Sequence, residues 1–186
     1  MKKKLYRFLF YKILGWHLQG NIAPELKKCI IIVAPHTSWH DFYIGLFVRG
    51  ILDLEINFVA KKELFRFPFG YFFSWMGGAP LDRSGKRNTV DTIAGVLESK
   101  EVFRLTIAPE GTRKKVAQWK TGFYFIAQKA QVPIIPVAFD FGKKEVCIGD
   151  PFWITNNYQD DLELLMSFYK NREGKIQENN FYIQKK

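Results

Sequence analysis

Two side chains five residues apart carry the means for acid–base chemistry: His36 and Asp41, in the stretch Ala34-Pro35-His36-Thr37-Ser38-Trp39-His40-Asp41. A carboxylate on one imidazole nitrogen leaves the other free to take a proton. The spacing restricts how they can meet. On one continuous helix, positions i and i+5 point about 140° apart, so His36 must precede the helix that carries Asp41. Ser38 suits the N-cap and Asp41 the third helical position, from which its carboxylate swings back toward the imidazole. The same residues also fit a plain capping box beside a surface histidine. A third option is a metal site, because His36 and His40 have the i, i+4 spacing that puts two ligands on one helix face. Against it, the only other histidine is His17, and no cysteine cluster supplies a further ligand.

The elements that must position this pair follow from the apolar pattern. The run Cys29-Ile30-Ile31-Ile32-Val33 predicts a buried strand that ends just before His36. A helix is expected over about 38–51, then a strand over 56–60 with Lys61-Lys62-Glu63-Leu64 at its end. Residues 67–81 carry no charge and hold Phe69, Tyr71, Phe72, Phe73, Trp75 and Met76. Interrupted by Pro68, Gly70, Gly77 and Gly78, they are too short to span a bilayer. Core packing is the default, with an acyl-chain pocket or a lipid-dipping patch as the other options. A helix over about 88–99 leads to a strand over 102–108, which delivers Pro109-Glu110-Gly111-Thr112-Arg113 at its end. Trp119-Lys120-Thr121-Gly122 opens an amphipathic helix to about residue 131. Strands over 132–139 and 145–148 and a helix over about 160–172 complete the pattern. Strands alternating with helices predict a single α/β domain, a mixed and largely parallel sheet flanked by helices, with its site at strand ends.

The first twenty residues read differently. Leu5, Tyr6, Leu9, Ile13 and Trp16 share one helical face, and Lys3, Lys4 and Arg7 lie opposite. This predicts an amphipathic membrane-docking helix over 1–20, followed by the domain proper over 21–186. Arg7 and Lys12 interrupt the apolar run too often for a spanning helix or a secretory segment. Packing of that helix on its own domain is the alternative. With 186 residues, 47% of them hydrophobic, the chain suffices for one substantial core. Cys29 and Cys147 both sit in apolar strands, which suits buried thiols in a reducing compartment. The formal net charge of +10 implies an anionic partner. An aromatic content of 17%, led by 18 Phe, favours lipid over RNA, since no RNP-type strand motif is present.

Four blocks in this order and spacing resemble the glycerolipid acyltransferase family, whose best-known members are 1-acyl-sn-glycerol-3-phosphate acyltransferases. The first runs from His36 to Asp41, the family's H-x4-D. Gly78-Ala79-Pro80-Leu81-Asp82-Arg83 resembles its G-x-x-h-x-R, Pro109 to Arg113 its P-E-G-T-R, and Val132-Pro133-Ile134-Ile135-Pro136 its fourth block. Lys61 to Leu64 is similar to a K-x-E-L-like segment between the first two. Pro35, Ala108 and Lys114 stand where the family often has Asn, Phe and Ser. The resemblance covers roughly residues 28–151. It implies transfer of an acyl group from acyl-coenzyme A or acyl carrier protein to a lysophospholipid hydroxyl, with no cofactor beyond the thioester co-substrate. A hydroxyl is a poor nucleophile at neutral pH, so His36 oriented by Asp41 would serve as its base. Lys61, Arg83 and Arg113 could converge on a phosphate. Glu110, beside Gly111 and Thr112 in the substrate-binding block, would orient an arginine or a glycerol hydroxyl, or else form a surface ion pair. The implied setting is peripheral, on the cytoplasmic face of an anionic membrane, with no nucleic acid partner. A non-catalytic basic protein binding nucleic acid or membrane is the competing class, and it would show no dependence on His36.

Overall fold

The computed structural model describes residues 2–67, 70–81, 89–155 and 157–181. The strands β1 (His17–Gln19), β2 (Lys28–Ala34), β3 (Asn57–Lys61), β4 (Gly78–Leu81), β5 (Phe103–Ile107), β6 (Ile134–Asp140) and β7 (Glu145–Ile148) form one sheet in the order β1-β7-β6-β2-β5-β3-β4. Neighbours run parallel except β6 and β7, which are antiparallel. β2 lies at the centre between β5 and β6. Its β-branched run suits a parallel strand covered on both faces. Because strand side chains alternate, Ile30, Ile32 and Ala34 pack against α4 (Thr89–Ser99), α5 (Gly122–Ala130) and α6 (Tyr158–Ser167). Cys29, Ile31 and Val33 face the other way, toward α2 (His40–Leu52) and the N-terminal segment. Both cysteines are buried and free.

The N-terminal segment does not form one helix over 1–20. Helix α1 spans Lys2–Phe8, a π-helical turn follows over Leu9–Ile13, and Gly15 takes a left-handed φ of 68°. The chain then folds inward. Phe10 and Trp16 are buried, Trp16 packs edge-on against Phe141 with centroids 4.8 Å apart, and His17–Gln19 pairs with β7. The expected boundary at residue 20 therefore falls inside the sheet, because two large aromatic rings gain more from the core than a continuous helix would give them. The uncharged stretch also departs from expectation: α3 (Gly70–Trp75) leaves Tyr71, Phe72 and Trp75 exposed rather than in the core. Helix α6 stops at Ser167, and the following turns carry Tyr169 into the interior.

One buried cation organises the entry to two strands. Arg104 on β5 is 3% exposed and donates to the carbonyls of Pro24, Leu26 and Glu55 at 2.8, 2.8 and 3.3 Å. Three carbonyl acceptors replace the water that the guanidinium loses on burial. The loops leading into β2 and β3 are thereby fixed, and with them the strands whose far ends carry the site.

Candidate active site

In the parallel pairing of β2 with β5, Ile32 stands opposite Ile107. Both strands therefore finish on the same edge of the sheet, and four residues beyond Ile32 and three beyond Ile107 bring His36 beside Glu110. The His36 backbone N–H donates to Oε1 and Oε2 of Glu110 at 3.1 and 3.2 Å. The imidazole Nδ1 lies 2.9 Å from Asp41 Oδ2, which also accepts the Ser38 N–H at 3.1 Å. Ser38 is not the cap residue: the helix begins at His40, with Trp39 in the cap position and no side-chain cap bond. Asp41 still reaches back as its spacing requires, from the first turn rather than the third helical position. It is 3% exposed and His36 is 24% exposed. A proton on Nδ1 is held by a buried carboxylate, so Nε2 is the nitrogen left to accept one.

Glu110 is only 1% exposed, and burial pushes its carboxyl up to about 7 against the stabilising donation from the His36 backbone. Its hydrogen-bond partner is thus the main chain of His36. His40 is held apart from this pair. Its Nδ1 lies 2.8 Å from Ser38 Oγ, and its ring packs on Trp39 with centroids 4.3 Å apart.

Beside His36 and Asp41 opens a cavity of about 450 Å³. It runs between α2 and the sheet, with Val48 and Gly45 on one wall, Val33 and Phe139 on the other, and Phe73 of α3 and Met76 just after it along its side. Arg113 lines it as well, so a cation, a base and an apolar channel share one space. Apolar walls with a few convergent polar groups are what a ligand cavity of this size presents. Gly111 takes a left-handed φ of 66°, which lets the Pro109–Arg113 turn double back. Thr112 is exposed and its Oγ1 accepts the Lys114 N–H at 3.3 Å. Lys61 stands at the carboxyl end of β3, next to β5 in the sheet. Arg83 lies outside the described residues.

Three further contacts around the site involve residues that sequence patterns did not single out for it. The aliphatic end of Lys120 crosses Gly111, so that a β-carbon there would meet Lys120 Cδ and Cε at 2.8 Å. Thr37 Oγ1 accepts the Ile176 N–H at 3.1 Å, which ties the C-terminal segment to the loop carrying His36. Tyr169 donates its hydroxyl to the Ile32 carbonyl at 2.8 Å and accepts the Val137 N–H at 3.2 Å, bridging β2 and β6 close to their carboxyl ends. A lysine in a predicted helix start could have been flagged. Thr37 and Tyr169 had no signal, since their partners lie 139 and 137 residues away.

Several known proteins resemble this chain. The family described as Acyltransferase matches residues 16–140. The 1-acyl-sn-glycerol-3-phosphate acyltransferase of Saccharomyces cerevisiae is 33% identical over 142 residues, covering 72% of this chain and 44% of that protein. That of Bacillus subtilis is 33% identical over 153 residues, covering 72% of this chain and 75% of its own length. The Escherichia coli protein of the same name is 38% identical over 141 residues, or 65% of this chain and 56% of that one. The chain therefore spans less than half of the yeast relative. Among solved structures, the 1-acyl-sn-glycerophosphate (LPA) acyltransferase PlsC from Thermotoga maritima aligns with a TM-score of 0.58 at 21% identity, covering 93% of this chain and 80% of that one. The two share the α/β fold, its largely parallel sheet flanked by helices.

Proposed function

Because the chain belongs to the acyltransferase family, we propose that it moves a fatty acyl group from an acyl thioester to the free hydroxyl of a lysophospholipid, with 1-acyl-sn-glycerol-3-phosphate as acceptor. The observation that carries this is the His36–Asp41 pair, 2.9 Å apart, at the wall of an apolar cavity that Arg113 also lines. His36 Nε2 takes the hydroxyl proton as the oxygen attacks the thioester carbonyl. The carbon–sulfur bond then breaks, and the imidazolium returns the proton to the leaving thiolate. Asp41 stabilises the imidazolium and fixes its ring. No side chain need be acylated. Acyl-coenzyme A and acyl carrier protein both offer the required thioester, and no other cofactor enters the reaction. Nucleic acid has no part in it.

The site of action is the cytoplasmic face of an anionic membrane, with the protein attached peripherally. Lys2, Lys3, Lys4, Arg7 and Lys12 accompany the exposed Leu5, Phe8 and Ile13 in the N-terminal segment. Among the described residues, no helix is long and apolar enough to cross a membrane.

Kinetics on a panel of lyso-acceptors test the proposal, and two substitutions sharpen it. Arg113→Ala removes a charge-assisted contact with the acceptor phosphate worth roughly 1.5–3 kcal/mol, so the acceptor KM is expected to rise about 10- to 150-fold with little change in the donor KM. A change confined to the thioester KM would move Arg113 to the donor side. Gly45→Leu fills the channel instead. A β-carbon at Gly45 meets only Phe139 Cζ, at 3.8 Å, so the added side chain has room to grow into the cavity. Excluding two donor methylenes costs about 1.6 kcal/mol at roughly 0.8 each, which predicts about a tenfold loss of kcat/KM for long-chain thioesters and none for short ones. A donor chain-length series with the variant measures this directly.

A further inference from the structure

We infer that the outer face of α3 is a second bilayer-docking surface, and that the helix it belongs to is the wall through which acyl chains pass between lipid and the cavity. This rests on the lipid-substrate proposal above and extends it to an element outside the N-terminal segment.

Helix α3 is apolar on both sides. Phe73 lines the cavity, as does Met76 just past the helix end. Tyr71 and Trp75 fall together on the opposite side and are 81% and 80% exposed, with Phe67 just before them at 87%. Phe72 adds half its surface. Single exposed apolar residues are ordinary, but four large rings within nine positions form a patch that water alone does not explain. Tyr and Trp, with an apolar body and one polar atom, are the side chains that settle at a membrane–water interface.

The neighbours of the patch identify the occupant as an anionic bilayer. Helix α3 packs on one flank of α2, where Phe73 lies 5.9 Å from Phe42 and Arg49 donates to the Met76 carbonyl. The N-terminal segment packs on the other flank, where Tyr6 lies 6.1 Å from Phe47 and covers Gly50. On α2 the rows holding Phe42 and Arg49 and holding Phe47 and Gly50 are about 120° apart, and both diverge from the core row of Ile44, Val48 and Ile51. Both flanking elements therefore sit on the same side of the sheet. One contributes exposed aromatics, and the other contributes lysines, an arginine and exposed Leu5, Phe8 and Ile13. Exposed Trp39 starts the helix between them. Cations beside interfacial rings, in a chain of net charge +10, match a negatively charged lipid surface.

The test uses the full chain and vesicles of phosphatidylcholine and phosphatidylglycerol. Tyr71→Ser with Trp75→Ser is compared with wild type and with Lys3→Gln, Lys4→Gln, Arg7→Gln. Deleting residues 1–20 is unsuitable because it removes β1 and the buried Phe10 and Trp16. Co-sedimentation is expected to weaken about tenfold or more for the α3 variant. Turnover of a water-soluble, short-chain thioester and acceptor should stay near wild type, while turnover of vesicle-borne acceptor falls. Bromolipid quenching should act on the emission lost in Trp75→Phe. Unchanged sedimentation of the α3 variant overturns the inference, whatever the N-terminal variant does. So does a wild-type dimer that the same substitutions dissociate while vesicle binding persists. Failure of the acyltransferase proposal shows separately, as absence of soluble turnover in wild type.

Discussion

His36→Ala is expected to lower kcat by about 10²–10⁴-fold, the usual contribution of a positioned general base. Asp41→Asn should approach the same loss. It keeps the shape that receives the Ser38 N–H, but removes the charge 2.9 Å from Nδ1 that orients the ring and stabilises the imidazolium. His40→Ala should retain most activity, because His40 bonds Ser38 Oγ and stacks on Trp39 rather than joining Asp41. A metal site built on the i, i+4 pair predicts a different pattern. His40 would then matter as much as His36, and a chelator would abolish turnover. Steady-state kinetics of the three variants, with and without chelator and after folding is checked by circular dichroism, separate the two.

The second large effect is on stability. Burial raises the Glu110 carboxyl from an ordinary 4.5 to about 7, so the folded chain holds this proton more tightly than the unfolded one. The resulting stabilisation is complete below pH 4.5 and is lost as pH rises through 7. A difference of about 2.5 in pKa corresponds to about 3 kcal/mol. Glu110→Gln keeps an oxygen for the His36 N–H but has no proton to lose. Urea unfolding from pH 4 to 8 should therefore show wild type losing about 3 kcal/mol relative to Glu110→Gln. Parallel profiles for the two proteins would mean that folding leaves the proton affinity of Glu110 unchanged. Glu110→Ala should also slow catalysis, because it frees the backbone on which the base is mounted.

The parts of the fold visible in sequence are those decided locally. Five apolar residues from Cys29 to Val33 can hardly be anything but a buried strand, and the geometry of a helix start forces Asp41 back toward His36. The ordered blocks added the Pro109–Arg113 turn. What sequence could not show depends on distant pairings. That Glu110 sits beneath His36 follows from the register of β2 on β5, and no feature of either segment specifies that register alone. The N-terminal segment was legible as amphipathic, but not as a contributor to the sheet. Its apolar face is equally suited to lipid and to α2, and the burial of Phe10 and Trp16 decided part of the question in favour of the core. In α3 composition misleads in the opposite direction. Hydrophobic composition argues for burial, yet a helix of six residues beside a cavity can cover that cavity with only one face.

In the proposed reaction His36 activates an acceptor hydroxyl toward an acyl thioester. This role is tested most directly by incubating the protein with a long-chain acyl thioester and 1-acyl-sn-glycerol-3-phosphate, then quantifying released thiol and the diacyl product by mass spectrometry. Wild type is expected to give equimolar thiol and diacylglycerol phosphate, and His36→Ala a loss of both by about 10²–10⁴-fold. Thiol release without a new ester, or equal product from wild type and His36→Ala, would contradict it.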